Sequence, residues 1–147
     1  MKKDILSVII VLILLAIIGA FFFMLPEAEP AFGPVELSGG SIVVEDQESV
    51  DEIYLAVELV EPGFISVHES MGDAPTTVVA VSGLLPAGYY DHLLITPESP
   101  LTPGAKYITI LHQDNGDGVF GLQDDKPVSV NGAVVRPSFK VGVKLEE

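Results

Sequence analysis

The chain has 147 residues, no cysteine, no tryptophan and a formal net charge of -14 at pH 7. This length accommodates one domain of ordinary size. The charge argues against a nucleic-acid partner, because phosphate binding requires a clustered basic surface. The lack of cysteine excludes disulfide bonds, iron–sulfur clusters, cysteine-based zinc sites and the thiolate of a blue-copper centre.

An apolar segment near the N-terminus predicts a membrane anchor. Residues 5–25 carry no charge, and Ser7 is their only polar residue. As a helix rising about 1.5 Å per residue, they match the hydrocarbon thickness of a bilayer. Lys2 and Lys3 precede the segment, so the N-terminus is expected in the cytoplasm and the remainder outside. We expect residues 1–25 to form an uncleaved signal-anchor; the alternative, a cleaved signal peptide, normally has an apolar region of only about 7–15 residues.

A linker and an outer domain are expected after the anchor. Residues 26–40 contain Pro26, Pro30 and Pro34, which block a helix and favour an extended spacer. Residues 41–147 then form an extracytoplasmic domain. Because nearly all acidic residues lie beyond the anchor, an anionic lipid surface would repel this domain.

Beyond Gly40, apolar residues repeat with period two, which predicts β-strands. Alternation occurs over residues 53–59, 65–68, 92–95, 107–110 and 139–145, and the apolar run at 78–81 is typical of a central strand. Asn131-Gly132, flanked by valines, predicts a two-residue hairpin turn, since both residue types tolerate positive φ. Seven or eight short strands separated by Pro/Gly turns predict an all-β fold, an antiparallel immunoglobulin-like β-sandwich.

Several short motifs follow one another in a characteristic order. They are Val44-Glu45-Asp46-Gln47, Pro62-Gly63-Phe64-Ile65-Ser66-Val67-His68-Glu69, Leu85-Pro86-Ala87-Gly88, Leu101-Thr102-Pro103-Gly104 and Leu111-His112. In this order they resemble an uncharacterised β-sandwich domain that recurs in archaeal and bacterial cell-surface proteins, notably those of salt-loving archaea. The resemblance covers about residues 41–143 and implies the fold and a surface location; the family has no assigned activity. The Asp/Asn loop that follows is shorter here than the family's usual Asp-x-Asn-x-Asn form.

That loop, residues 113–118, is the candidate cation site. Calcium prefers six to eight oxygen ligands, and Asp and Asn residues in a Gly-rich turn supply several. The candidate calcium ligands are Asp114, Asn115, Asp117 and Asp124. In an EF-hand register, the first ligand position falls on Gln113, which is a poor calcium ligand. The alternative is a tight turn that uses Asn and Gly for left-handed backbone angles.

The three histidines offer a second metal hypothesis. His68 and His112 lie near predicted strand ends and could meet on one face to bind copper or zinc, with Met71 nearby. The alternative is that these histidines hydrogen-bond to the backbone. For hydrolysis, Ser82 precedes Gly83, but no Gly-x-Ser-x-Gly motif is present and no carboxylate pair is placed for a cleft. We therefore expect no enzymatic activity.

The sequence as a whole predicts a single-pass membrane protein that displays an acidic β-domain outside the cell. Its lipid partner is the bilayer around residues 5–25. The domain is expected to have a structural, adhesive or protein-interaction role, through an envelope protein or through self-association. The alternatives are a calcium-binding surface domain and a copper-handling domain.

Overall fold

A computed structural model of the chain describes residues 35–36 and 39–142. The predicted anchor, most of the predicted linker and residues 143–147 lie outside the described residues. None of the described residues belongs to a helix with the length and apolarity needed to cross a membrane. The described strands lie within one compact unit.

Ten strands make up the regular structure of the described residues. They are β1 (Val35–Glu36), β2 (Ser41–Val44), β3 (Ile53–Leu59), β4 (Gly63–Met71), β5 (Ala74–Val81), β6 (Gly88–Ile95), β7 (Lys106–Gln113), β8 (Lys126–Val130), β9 (Ala133–Val134) and β10 (Ser138–Lys140). The all-β prediction is confirmed. The strand number exceeds the predicted seven or eight because β1 and β2, with two and four residues, are too short to show a clear period in the sequence.

The strands form two sheets of unequal size. The larger sheet has the order β1-β8-β7-β4-β5, with β10 paired to β7 and β9 paired to β8. The smaller sheet has the order β2-β3-β6. The strand pairs are antiparallel, as predicted, except for the short parallel pair of β1 and β8. β1 lies within the segment predicted to be a linker.

A second parallel contact joins the segment before β3 to the segment after β10. Gln47 and Val141 form a parallel bridge. The Gln47 N–H donates to the carbonyl of Lys140 at 2.8 Å, and the Gly142 N–H donates to the carbonyl of Gln47 at 2.7 Å. Two segments that are far apart in sequence therefore run side by side in the same direction.

The two sheets share one hydrophobic core. On β3, alternate residues are buried, as the period predicted, and the residues between them point outward. The smaller sheet contributes Ile42, Ile53, Leu55, Val57, Leu59 and Ile95, and the larger contributes Ile65, Val67, Ala80, Tyr107, Leu111, Val128 and Phe139. Full burial of an aliphatic or phenyl side chain contributes about 1.5–3 kcal/mol, so this shared cluster is the main source of stability.

Strands β4 and β7 form the middle of the larger sheet and are buried on both faces. Residues 63–68 and 107–112 are all buried. One face of each strand points to the shared core, where Ile65 and Leu111 lie. The other face carries Ser66, which is fully buried. The polar residues that alternate with the apolar ones are therefore not exposed to solvent, which the sequence pattern alone did not reveal.

The expectation of a central strand at residues 78–81 is wrong. These residues belong to β5, which lies at the edge of the larger sheet and pairs with β4. Only Ala80 of the run is buried, and its neighbours are half-buried. A four-residue apolar run occurs on an edge strand when one of its faces still packs against the core, so the run does not by itself indicate two neighbouring strands.

The predicted hairpin at Asn131-Gly132 is confirmed. Val130 pairs with Ala133 across the turn. Asn131 has a φ of 53° and Gly132 a φ of 79°. Two successive left-handed residues are the requirement of a type I′ turn, which explains why Asn and Gly occupy these positions. In the predicted C-terminal strand, the described part is β10, and residues 143–145 lie outside the described range.

Candidate functional site

The loop that follows β7 is organised by its own side chains. Asp114 Oδ1 accepts a hydrogen bond from the Gly118 N–H at 3.1 Å. Asn115 Oδ1 accepts from the Asp117 N–H at 2.9 Å, and Asp117 Oδ1 accepts from the Val119 N–H at 2.8 Å. Asp and Asn side chains form such turns with their own backbone. The structure therefore shows the tight turn that was the alternative to a calcium site.

The structure places three of the four candidate calcium ligands around one surface depression. Asp114, Asn115 and Asp124 line it, whereas Asp117 does not. Lys126 also lines the depression, and its ammonium group opposes a bound cation. The calcium hypothesis for this loop stays a prediction.

The carboxylate that organises this region is Asp125, which the sequence analysis did not select. Its side chain is 1% exposed. Oδ1 accepts from the Asn115 N–H at 3.0 Å, and Oδ2 accepts from the Gly121 N–H at 2.7 Å. One buried carboxylate thereby holds the loop at two points, Asn115 and Gly121. The neighbouring Asp124, which was selected, is exposed.

The structure brings His68 and His112 together, as the copper hypothesis required. Ser66 Oγ lies 2.8 Å from His68 Nε2 and 2.9 Å from His112 Nε2. All three residues are buried. Met71 is 76% exposed and takes no part in this cluster.

Each ring of the cluster is also held by a main-chain carbonyl. His68 Nδ1 lies 3.1 Å from the carbonyl oxygen of Thr76 on β5. His112 Nδ1 lies 2.9 Å from the carbonyl oxygen of Asp125. Burial lowers the pKa of His112 below its usual value, which favours the neutral ring. The alternative, in which these histidines hydrogen-bond to the backbone, is therefore confirmed for His68 and His112, and the metal hypothesis stays a prediction.

The third histidine lies elsewhere. His92 is exposed on β6, and its ring lies 4.9 Å from the ring of Tyr54. Among residues 39–142, no group of three or more His, Asp and Glu side chains is arranged to hold a metal ion. His92 is thus the exposed histidine, in contrast to the buried His68 and His112.

Ser82 has a structural role in this fold. Its Oγ accepts a hydrogen bond from the Ile65 N–H at 2.9 Å and donates to the Gly83 carbonyl at 2.9 Å. Both partners are main-chain groups. The hydroxyl thus joins β4 to the end of β5, and the described residues do not place a histidine beside it.

The outer face of the smaller sheet carries several large apolar side chains that are exposed to solvent. The register places Val43 beside Ala56, and Tyr54 beside Leu94. The large exposed side chains on this sheet are Val43 (63%), Tyr54 (36%), Leu94 (46%) and Tyr89 (70%). Such exposure on one face is more typical of an interaction surface than of a solvated sheet face.

Acidic residues frame this face. Glu45, Asp46 and Asp91 line a depression that also contains Tyr54 and His92. The hydroxyl of Tyr54 donates to the Glu52 carboxylate at 3.2 Å, and this carboxylate raises the pKa of Tyr54. The face therefore combines exposed aromatic and aliphatic side chains with acidic ones, which include Glu58, the partner of Tyr89 across β3 and β6.

Comparison with known proteins identifies the family to which the described domain is similar. A model of a domain of unknown function, DUF7282, matches residues 40–141. "Cell surface glycoprotein 2" of Haloarcula hispanica is 35% identical over 117 residues, and "Cell surface glycoprotein 1" of the same organism is 31% identical over 117 residues. Each alignment covers 77% of this chain and 12% of the relative, so the chain spans about an eighth of their length. No solved structure matches.

The match covers the strands of both sheets from β2 to β10. It confirms the resemblance to a domain found in surface proteins of salt-loving archaea, and it extends over the loop after β7 and the buried histidines. The chain belongs to the DUF7282 family of domains of unknown function.

Proposed function

We propose that the chain displays its β-domain on the outer side of a cell membrane, held there by residues 5–25, and that the domain has a structural or adhesive role. The observation that carries this proposal is its similarity to two cell surface glycoproteins. The uncharged N-terminal segment, preceded by Lys2 and Lys3, supports the anchor and its orientation. The shared core of the two sheets supports an immunoglobulin-like sandwich as the displayed unit.

The outer face of the smaller sheet is the proposed contact surface, toward an envelope protein or a second copy of the chain. Its aromatic and aliphatic side chains gain stability when they are removed from water. The acidic residues around it favour an envelope protein with a basic rim over a second copy of the chain, because like charges across an interface cost free energy. The same charge keeps the domain off an anionic lipid surface.

Single cysteines test both the display and the contact surface, since the chain has none of its own. Met71→Cys and Tyr89→Cys replace side chains of similar exposure, 76% and 70%, and only the second lies on the proposed contact face. With a membrane-impermeant maleimide, we expect both to react in the purified chain. On intact cells, Met71→Cys reacts at the same rate, whereas Tyr89→Cys reacts several-fold more slowly because its partner covers it.

Asp4→Cys is the control for orientation, because it leaves both lysines in place. We expect it to react only after the cells are permeabilised. If Met71→Cys also requires permeabilisation, the domain is not displayed outside. If Tyr89→Cys and Met71→Cys react equally fast on cells, the smaller sheet is not the contact surface.

Calcium binding by the loop after β7 is the second candidate function. The observation in its favour is the convergence of Asp114, Asn115 and Asp124 on one depression. A ligand that binds only the folded state raises Tm. For this role, millimolar calcium raises the Tm of the wild type, Asp114→Asn abolishes the rise, and Asp91→Asn, an equal change of charge on β6, preserves it. An unchanged wild-type Tm excludes this role.

A further inference from the structure

A β-bulge turns two consecutive side chains to the outer face of the smaller sheet. The pairing of β3 with β6 shifts register between Leu55 and Val57, so that one residue of β3 faces two of β6, Asp91 and His92. Both are exposed, whereas a regular strand would turn one of them inward. Bulges are common at sheet edges and beside active sites, where they re-aim side chains. This bulge directs a carboxylate and an imidazole to the same side of the sheet.

The bulge borders a surface depression with an aromatic wall. The ring of Tyr54 on β3 lies 4.9 Å from the ring of His92, and the two planes are inclined by 34°. Val43 on β2 lines the same depression. Its volume of about 360 Å³ lies near the lower end of the range for ligand pockets, about 300–1,000 Å³. The depression is therefore large enough for one long side chain.

The rest of the lining is negatively charged. The carboxylates of Glu45, Asp46 and Asp91 line the depression, and Asp46 also accepts a main-chain hydrogen bond. Within residues 39–142, the one ion pair that the structure describes joins Lys106 to Asp73. No basic side chain of the described residues thus neutralises the three carboxylates. The depression combines aromatic faces with uncompensated negative charge, and this combination selects a cation.

We propose that this depression receives an arginine side chain of the envelope protein that contacts the smaller sheet, an inference that rests on the contact surface proposed above. A guanidinium group is planar, stacks on aromatic faces and offers five N–H donors to carboxylates. The hydrogen bond from the Tyr54 hydroxyl to Glu52 adds electron density to the ring, which strengthens its attraction for a cation. A lysine ammonium group has no planar face and is more strongly hydrated, so it gains less here.

The exposed residues beside the depression indicate that the arginine belongs to a protein. Leu94 and Tyr89 are 46% and 70% exposed on the same face, and the register places Leu94 beside Tyr54. A free small cation would leave these side chains in water, whereas a folded partner covers them around its arginine. An arginine in a pocket surrounded by apolar contacts is a common centre of binding energy in interfaces.

The test compares three probes on the full chain in a neutral detergent: acetyl-arginine amide, acetyl-lysine amide and acetyl-citrulline amide. Citrulline has nearly the shape of arginine but no charge. Nuclear magnetic resonance follows the ring protons of His92 and Tyr54 at pH 8, where an ordinary imidazole carries no charge. We expect a saturable shift with the arginine probe. Its affinity should be about tenfold higher than that of the citrulline probe and roughly threefold higher than that of the lysine probe.

Two variants and a matched control locate the site. Asp91→Asn and Tyr54→Leu should each lower the affinity for the arginine probe by roughly threefold or more. Glu98→Gln makes the same change of charge on an exposed residue beside β5 and should bind like the wild type. The three side chains lie on the surface, so an unchanged Tm is expected for each variant and confirms that it folds.

Two results would overturn the inference. The first is the lack of a saturable shift with the arginine probe. The second is equal affinity for the arginine and lysine probes, or undiminished affinity in Asp91→Asn, because the net charge of -14 by itself attracts any cation.

Labelling of Tyr89→Cys on cells separates this inference from the proposed function. A shielded cysteine in a chain that binds no arginine overturns the arginine pocket and leaves the contact surface standing. Selective arginine binding by a chain whose Tyr89→Cys reacts freely on cells supports the pocket and overturns the contact surface.

Discussion

Replacing Asp125 with alanine is expected to lower the free energy of unfolding by about 2–4 kcal/mol. The carboxylate is 1% exposed and accepts hydrogen bonds from the main-chain N–H groups of Asn115 and Gly121. Its removal leaves the two partly buried main-chain donors without their protein partner, and it leaves a void beside the backbone that holds His112. Hydrogen bonds to a charged group contribute about 1.5–3 kcal/mol each, and their loss accounts for the size of the effect.

Asp124→Ala is the matched control, because it removes the adjacent carboxylate, which is exposed. Its effect should stay within about 0.5 kcal/mol, as for most surface substitutions. Asp125→Asn should lie between the two, since the amide keeps one acceptor oxygen. Denaturant titration of the full chain measures all three. Equal destabilisation by Asp124→Ala and Asp125→Ala would refute the structural role of Asp125.

Gly63→Ala is expected to destabilise the fold by about 3 kcal/mol and to lower Tm by roughly 10 °C or more. A Cβ atom at Gly63 would lie 2.1 Å from the carbonyl oxygen of His112, a distance that real Cβ atoms do not adopt. The obstacle is the backbone of the neighbouring strand, so no side-chain rotation relieves it. The start of β4 would have to separate from the end of β7 beside the histidine cluster.

Gly83→Ala provides the comparison, since no other atom lies within 4 Å of a Cβ at this position. Neither glycine has a left-handed φ, so the two variants differ in space and not in backbone strain. Calorimetry should show a Tm close to that of the wild type for Gly83→Ala. A Gly63→Ala chain with the wild-type Tm would mean that β4 and β7 do not approach as closely as the structure shows.

The parts of the fold that the sequence predicted correctly are those that depend on local rules. The alternation of β3 identified its buried face, and Asn131-Gly132 identified a hairpin through its two left-handed residues. Each of these inferences needs only the period of a strand or the conformational range of one residue type. The meeting of His68 and His112 was also anticipated, but it depends on the pairing of β4 with β7.

The features of the fold that the sequence did not predict depend on contacts between residues that are distant in sequence. Asp124 and Asp125 are equivalent as a sequence pair, and only the path of the chain decides which carboxylate turns inward. Ser66 reads as the polar position of an alternating strand, but it is buried on the second face of β4. The edge position of β5 follows from the sheet order, which no local pattern encodes.

The parallel contact between Gln47 and Val141 has a mechanical consequence if the domain is displayed on a tether, as we propose. A pull applied to the chain before β2 and after Gly142 acts on these two segments in opposite directions along their length. Their hydrogen bonds, including those at 2.8 and 2.7 Å, then bear the load together in shear. Antiparallel segments pulled from one end would instead open like a zipper, one bond at a time. The topology thus gives the domain a clamp against tension between its ends.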